Sequence, residues 1–140
     1  MVTYQTNEAT FDTPEEWKDQ TVNIFSVGTK PPHPLSVVVS RERLKDGQEL
    51  TDYAEAQIKQ YEEKLKDFRL LSKRQVMAGE SPALEAEFTW TSAKGPMHQR
   101  QAFIPRDRRV LLITVTAPVK IADAHQEQVD RLLASFRFRE

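Results

Sequence analysis

An α+β fold, with two helices against an antiparallel β-sheet of about six to seven strands, is predicted by three features of the chain. Apolar residues recur at spacings of three and four within residues 50–68 and again within 121–136. Between these stretches lie four segments of strand character, each closed by a turn signal. Two further strand-like segments precede the first helix, giving the order strands, helix, four strands, helix rather than an alternating βαβ layout.

Element by element, a short strand is expected at residues 3–6, continuing toward Phe11. In "FDTPEEWKDQ", Pro14 and its acidic neighbours mark a turn, and Trp17 offers a large apolar anchor. Strands follow at about residues 21–27 and 35–42. The loop between them holds three prolines, which cannot donate to a ladder and so keep residues 28–34 outside the sheet as a stiff rim.

Asp46-Gly47 marks a turn before "LTDYAEAQIKQYEEKLKDF", where Ala54, Ile58, Tyr61, Leu65 and Phe68 form one helical stripe and Thr51 is the expected N-cap. The next four strands are "FRLLSKRQVMAG", "PALEAEFTWTSA", "MHQRQAFIP" and "RVLLITVTAP", joined as successive antiparallel hairpins. Leu84, Ala86, Phe88 and Trp90 face one way, and Glu85, Glu87 and Thr89 the other. The closing helix "IADAHQEQVDRLLASF" puts His125, Val129, Leu132, Leu133 and Phe136 on its inner face. Residues 1–140 read as a single domain, with no repeat and no linker.

Composition narrows the function. With 39% hydrophobic and 29% charged residues, and no apolar run near the ~18 residues needed to span a bilayer, the chain reads as a soluble domain that does not insert into a membrane. The absence of cysteine removes disulfides, thiolate metal sites and cysteine nucleophiles. A formal charge of −1 gives no general attraction to nucleic acid. No export or lipidation pattern opens the sequence, so a cytoplasmic location is expected.

Enzymatic chemistry finds little support. The four glycines, at 28, 47, 79 and 95, stand singly at turns and build no phosphate-cradling loop. His33, His98 and His125 fall in a loop, a strand and a helix, without metal-ligand spacing, so no metal and no cofactor is expected. A pairing of His98 with Glu85 or Glu87 would be the one acid–base candidate, and ordinary cross-strand charge pairing is the expected reading of it. Arg106, Arg108 and Arg109 are interrupted by Asp107 beside Pro105 and read as a solvated turn. The terminal "SFRFRE" reads as a helix end with one core anchor, or else as a last strand or partner-facing tail.

One face of the sheet does not fit a simple core-and-solvent scheme. In residues 21–44, Phe25, Val27, Leu35, Val37 and Val39 make a core face. The other face carries Val22, Ile24, Ser36, Val38 and Ser40, which are uncharged and too apolar for solvent. Met97, Gln99 and Gln101 alternate onto one side of their strand, and Gln57 lies beside Tyr61 and Leu65 on the first helix. Helix and sheet could together wall a groove for an apolar helix: small hydroxyls allow close backbone approach, aliphatic side chains cover apolar surface, and amides both donate and accept. The competing expectation is that the second helix, or a second copy of the chain, covers this face.

The runs "TPEEWKDQTVNIFSV", "PLSVVVSRERLKDGQELTDYAEAQIKQYEEKLKDFRLL", "PALEAEFTW" and "QRQAFIPRDRRVLLITVTAP" resemble the DcrB-like domain family, of DcrB/Mog1/PsbP-like fold, and within it the Eag chaperones of type VI secretion effectors. The resemblance covers nearly the whole chain and implies a cytoplasmic, non-enzymatic homodimer. Such a chaperone cradles the N-terminal transmembrane helices of an effector carrying a PAAR domain and promotes its loading on the secretion spike. Carried over by position, the helix-binding residues would be Val22, Ile24, Ser36, Val38, Ser40, Gln57, Tyr61, Leu65, Met97 and Gln101, with a smaller side chain expected at Tyr61. A generic dimeric adaptor that binds a folded partner is the alternative.

Overall fold

The alternation in the four central segments builds one continuous ladder. The computed structural model describes residues 1–28, 30–31 and 33–139. Its elements are β1 (Val2–Gln5), β2 (Thr10–Thr13), β3 (Asn23–Val27), β4 (Leu35–Arg43), α1 (Leu50–Lys64), β5 (Arg69–Ala78), β6 (Ser81–Ser92), β7 (Gly95–Arg106), β8 (Arg109–Pro118) and α2 (Asp123–Ala134). Six strands form the main antiparallel sheet in the order β3-β4-β8-β7-β6-β5, and β1 and β2 pair only with each other. The expected strand-helix-strand-helix order is met. The N-terminal strands, however, form a hairpin of their own instead of extending the sheet.

The long connection from β4 to β5 explains the role of α1. Three strands separate its two ends, a distance of roughly 19 Å at the usual strand spacing. A helix of 15 residues is about 22 Å long, enough to carry the chain across the sheet. Its stripe buries Ala54 and Ile58 against Ala86, Phe88, Phe103 and Leu112. The N-cap is Glu49 rather than the expected Thr51: Glu49 and Asp52 form a reciprocal capping box, the Asp52 carboxylate accepting the Glu49 N–H at 3.1 Å.

The other face of the sheet belongs to α2, whose Val129 and Leu133 pack with Val37, Ile104, Ile113, Val115 and Ile121. The Gly79 N–H donates to the Leu133 carbonyl at 2.7 Å, which draws α2 toward the β5 side. At Gly79, φ is +60° and an added Cβ would lie 1.9 Å from the Phe136 carbonyl oxygen, so this approach requires glycine. Both Phe136 and Phe138 then pack on the core, edge to face with centroids 5.0 Å apart. The terminal segment thus supplies two anchors, not one, and forms no strand among the described residues.

Two other sequence expectations change. Phe25 is 60% exposed, because β3 is an edge strand beyond the reach of α2. Trp17 is 67% exposed, so it is not the buried anchor expected, although it borders a cleft beside Val2, Tyr4 and Phe11 of the N-terminal hairpin. Residues 28–34 were expected to form a proline-stiffened rim; Thr29 and Pro32 of that loop lie outside the described residues.

Tyr53, on the α1 stripe, packs edge-on against Phe103 with centroids 6.1 Å apart. Burial, reinforced by the charge of Glu42 and by Tyr61, pushes its hydroxyl from 10.0 up to about 12. A raised pKa in the fold means that its contribution to stability is intact below pH 10 and is lost as pH rises through about 12. Tyr53→Phe should therefore show a shallower fall in stability over that window than the parent chain, as measured by urea midpoints at successive pH values. Parallel curves would contradict the assignment.

Candidate functional site

The α1 side of the sheet carries the uncharged mixed surface. Ile24 pairs with Val38 and Ser26 with Ser36 across β3 and β4. Ser36, Val38 and Ser40 then lie opposite Thr116, Thr114 and Leu112 of β8. On β7, Gln99 and Gln101 face Thr116 and Thr114 in turn, and Met97 faces Pro118. Since side chains on one strand alternate between faces, these residues share a single surface. The second helix does not cover it: the residues that α2 buries, such as Val37 and Val115, alternate with these and point the other way. The helix on this side is α1, packed over β6, β7 and Val110 and Leu112 of β8, and beside it Ser36, Val38, Ser40, Thr114 and Thr116 stay half-buried as an open floor.

Two chains of side-chain hydrogen bonds run across the floor. In one, Gln57 Nε2 donates to the Tyr61 hydroxyl at 3.1 Å, Tyr61 donates to Gln101 Oε1 at 3.0 Å, and Gln101 Nε2 donates to Thr114 Oγ1 at 2.9 Å. In the other, Trp90 Nε1 donates to Gln99 Oε1, and Gln99 Nε2 donates to Thr116 Oγ1 at 2.8 Å. Each relay fixes amide orientation and rotamer before any ligand arrives, so little side-chain entropy is left to lose on binding. Each ends on a threonine hydroxyl that has accepted a bond and retains its own proton to donate.

Tyr61 shows why a large side chain sits where a small one was expected. Its ring stacks at a tilt on Phe88, with centroids 5.2 Å apart, while its hydroxyl joins helix to sheet. Gln101 is 4% exposed, which makes it a support beneath the surface. Gln57, Tyr61, Ser36, Val38, Ser40 and Met97 are half-buried, and Ile24 is 67% exposed at the rim. Val22 precedes β3 and takes no part in the ladder, and Leu65 is the C-cap of α1, packed into the α1-side core. Sequence reasoning placed Gln99 on this face without naming it for the site, and did not nominate Trp90, Thr114 or Thr116, although the alternation of "ITVTAP" placed both threonines on one face.

The acid–base candidate turns out to be an internal strut on the opposite face. His98 Nδ1 accepts the Ile121 N–H at 2.8 Å, which leaves the Nε2 proton directed at Glu87 Oε2, 2.6 Å away. Glu85, on the face opposite Leu84, is 2% exposed. Arg100 forks onto it, with Nη2 2.9 Å from Glu85 Oε2, and reaches Gln126 Oε1 at 2.7 Å and Asp130 at 2.9 Å on α2. Burial alone would lower the Arg100 pKa, but the Asp130 hydrogen bond and the Glu85 charge and hydrogen bonds outweigh it, holding the guanidinium above its ordinary value. Among the described residues no cluster of three or more potential ligands could hold a metal.

An antiparallel sheet with a helix on each face, and part of one face left open beside its helix and braced by hydrogen-bonded amides, defines a class of small α+β domains. The chain belongs to the DcrB family, whose profile matches residues 8–135. It is 29% identical over 117 residues to Effector EagT6 of Pseudomonas aeruginosa strain PAO1, an alignment covering 83% of this chain and 81% of the relative. Among solved structures, it superposes on PA94 of Pseudomonas aeruginosa, a protein of unknown function, with a TM-score of 0.83 and 25% identity, covering 100% of this chain and 98% of the other. The cyanobacterial PsbP of Synechocystis sp. PCC 6803 shares the fold, with a TM-score of 0.57 and 9% identity over 91% of this chain and 98% of its own. The resemblance read in the sequence thus recurs in the family match and in the likeness to EagT6.

Proposed function

We propose that this chain is a cytoplasmic, non-enzymatic Eag-type chaperone. It binds the N-terminal transmembrane helices of a PAAR-containing type VI secretion effector, keeps them from water and promotes loading on the secretion spike. The observation that carries this reading is the uncharged floor of Val38, Ser36, Ser40, Thr114 and Thr116, preorganised by the two relays and walled by α1. Similarity to EagT6 supports it, as does the absence, among the described residues, of any helix long and apolar enough to cross a membrane itself. A few hundred Å² of shielded apolar surface on Ile24, Val38 and Met97 would supply several kcal/mol at about 25 cal/mol per Å², before association costs.

Co-expression with the N-terminal helices of a candidate effector tests the reading. Those helices should be soluble only in the presence of this chain, and equal solubility without it would sink the idea. Gln57→Ala should weaken binding about three- to tenfold, because it frees the Tyr61 hydroxyl from one partner and removes an amide at the groove wall. It should leave the thermal midpoint nearly unchanged, since Gln57 is only half-buried. If the client were instead a globular protein bound more tightly than isolated apolar helices, the generic adaptor would be the better description.

A homodimer belongs to the same reading. The N-terminal hairpin pairs with no other strand, and a two-stranded hairpin is marginal by itself. Phe11, Trp17 and the edge residue Phe25 are left exposed, as expected of a surface that a second copy would cover. Light scattering should give the mass of two chains, and a single-chain mass would remove the dimer.

A further inference from the structure

Three arginines stand in register across neighbouring strands at one end of the α2 face. Arg43 of β4 lies directly opposite Arg109 of β8, and Arg109 lies directly opposite Arg106 of β7. Like charges paired in this way repel each other and weaken a sheet. No carboxylate of the described residues lies within ion-pairing distance of any of them, although Asp107 occupies the adjoining turn. The C-terminal segment adds Arg137 and Arg139 to the same cleft, whose volume is about 710 Å³. Its apolar lining comes from Leu111, Phe136 and Phe138. Arg106 is held in place, stacked 4.6 Å over the Phe138 ring and donating to the Arg139 carbonyl at 2.9 Å. Arg43 and Arg109 make no side-chain hydrogen bond among the described residues.

From this geometry we infer that the cleft is a second binding site, for an acidic peptide segment of a protein partner whose carboxylates alternate with apolar side chains. Carboxylates would relieve the repulsion between the arginines, and guanidinium forks suit them geometrically. The phenyl and leucyl surfaces between the arginines match apolar residues, which a bare phosphate chain lacks. Seven arginines and one aspartate line the cleft, so the remainder of the chain, with 20 basic and 21 acidic residues in all, is net negative. Such a surface repels a long polyanion or an anionic membrane and admits a short anionic segment. Because the cleft lies on the face opposite the groove, the inference stands independently of what the groove holds.

Fluorescence anisotropy on the full chain with a labelled peptide of alternating glutamate and leucine tests the site. Binding at low salt is expected, weakening as salt is raised. The pair Arg43→Gln with Arg109→Gln should weaken it about tenfold or more, while the thermal midpoint stays level or rises because the like-charge contact is gone. Three results would each overturn the inference: no binding of that peptide, equal binding of its glutamine–leucine counterpart, or unchanged affinity in the double variant. Tighter binding of a labelled oligo-dT or of phosphatidylglycerol vesicles would reassign the cleft to another partner class, and a fall in thermal midpoint would make the arginines structural.

Discussion

Arg100→Met is expected to lower stability by about 3–5 kcal/mol, read from the urea midpoint, because it strands Glu85 without its main counter-charge. Arg100 and Glu85 are 3% and 2% exposed, and Glu85 would keep only Arg74, at 2.8 Å from the outer side. Methionine fills much of the volume but supplies no donor to Glu85, Gln126 or Asp130. The double change Arg100→Met with Glu85→Leu should recover most of the loss, since replacing a whole buried pair by apolar groups is often neutral. Asp130 is 65% exposed and would turn to solvent without penalty. If the single variant were as stable as the parent, the network would be shown to contribute little, and α2 would be held by its apolar face alone.

Val38→Glu is expected to abolish binding of an apolar helix in the groove, a loss of at least a hundredfold, with little change in folding stability. The side chain is half-buried on the open floor, so the unliganded protein can hydrate the new carboxylate. A bound apolar helix would strip that water and provide no counter-charge, a cost of several kcal/mol. Titration with a detergent-solubilised effector helix would read the effect. Retained affinity would place the client elsewhere. Val39→Glu makes a useful contrast: on the adjacent position but the other face, it should destabilise the α2-side core instead.

Local periodicity made the fold largely legible. The stripe from Ala54 to Phe68 and the alternation from Leu84 to Trp90 fixed both the type and the facing of their elements. What the sequence did not reveal depends on which strand neighbours which. Glu85 looks like an ordinary solvated residue until α2 lies across β6 and β7 and brings Asp130 and Gln126 to Arg100. Phe25 looks like core until β3 proves to be an edge. In the groove, Gln57, Tyr61 and Gln101 were named as members of one surface, but the relay that bonds them joins residues 40 positions apart and shows only in the fold. The row of Arg43, Arg109 and Arg106 was hidden for the same reason: only the turn portion was contiguous, and by itself it resembled a solvated loop.

Strand β7 is clamped from both sides. Gln99 and Gln101 tie it to β8, β6 and α1 on the groove face, while His98 and Arg100, its alternate residues, tie it to Glu87, Glu85 and α2 on the other. The strand that borders the floor is thus pinned on both faces of the sheet. If the groove holds an apolar helix as proposed, release would have to come from that helix itself, peeled away turn by turn under an outside pull or lured off by a surface that suits it better.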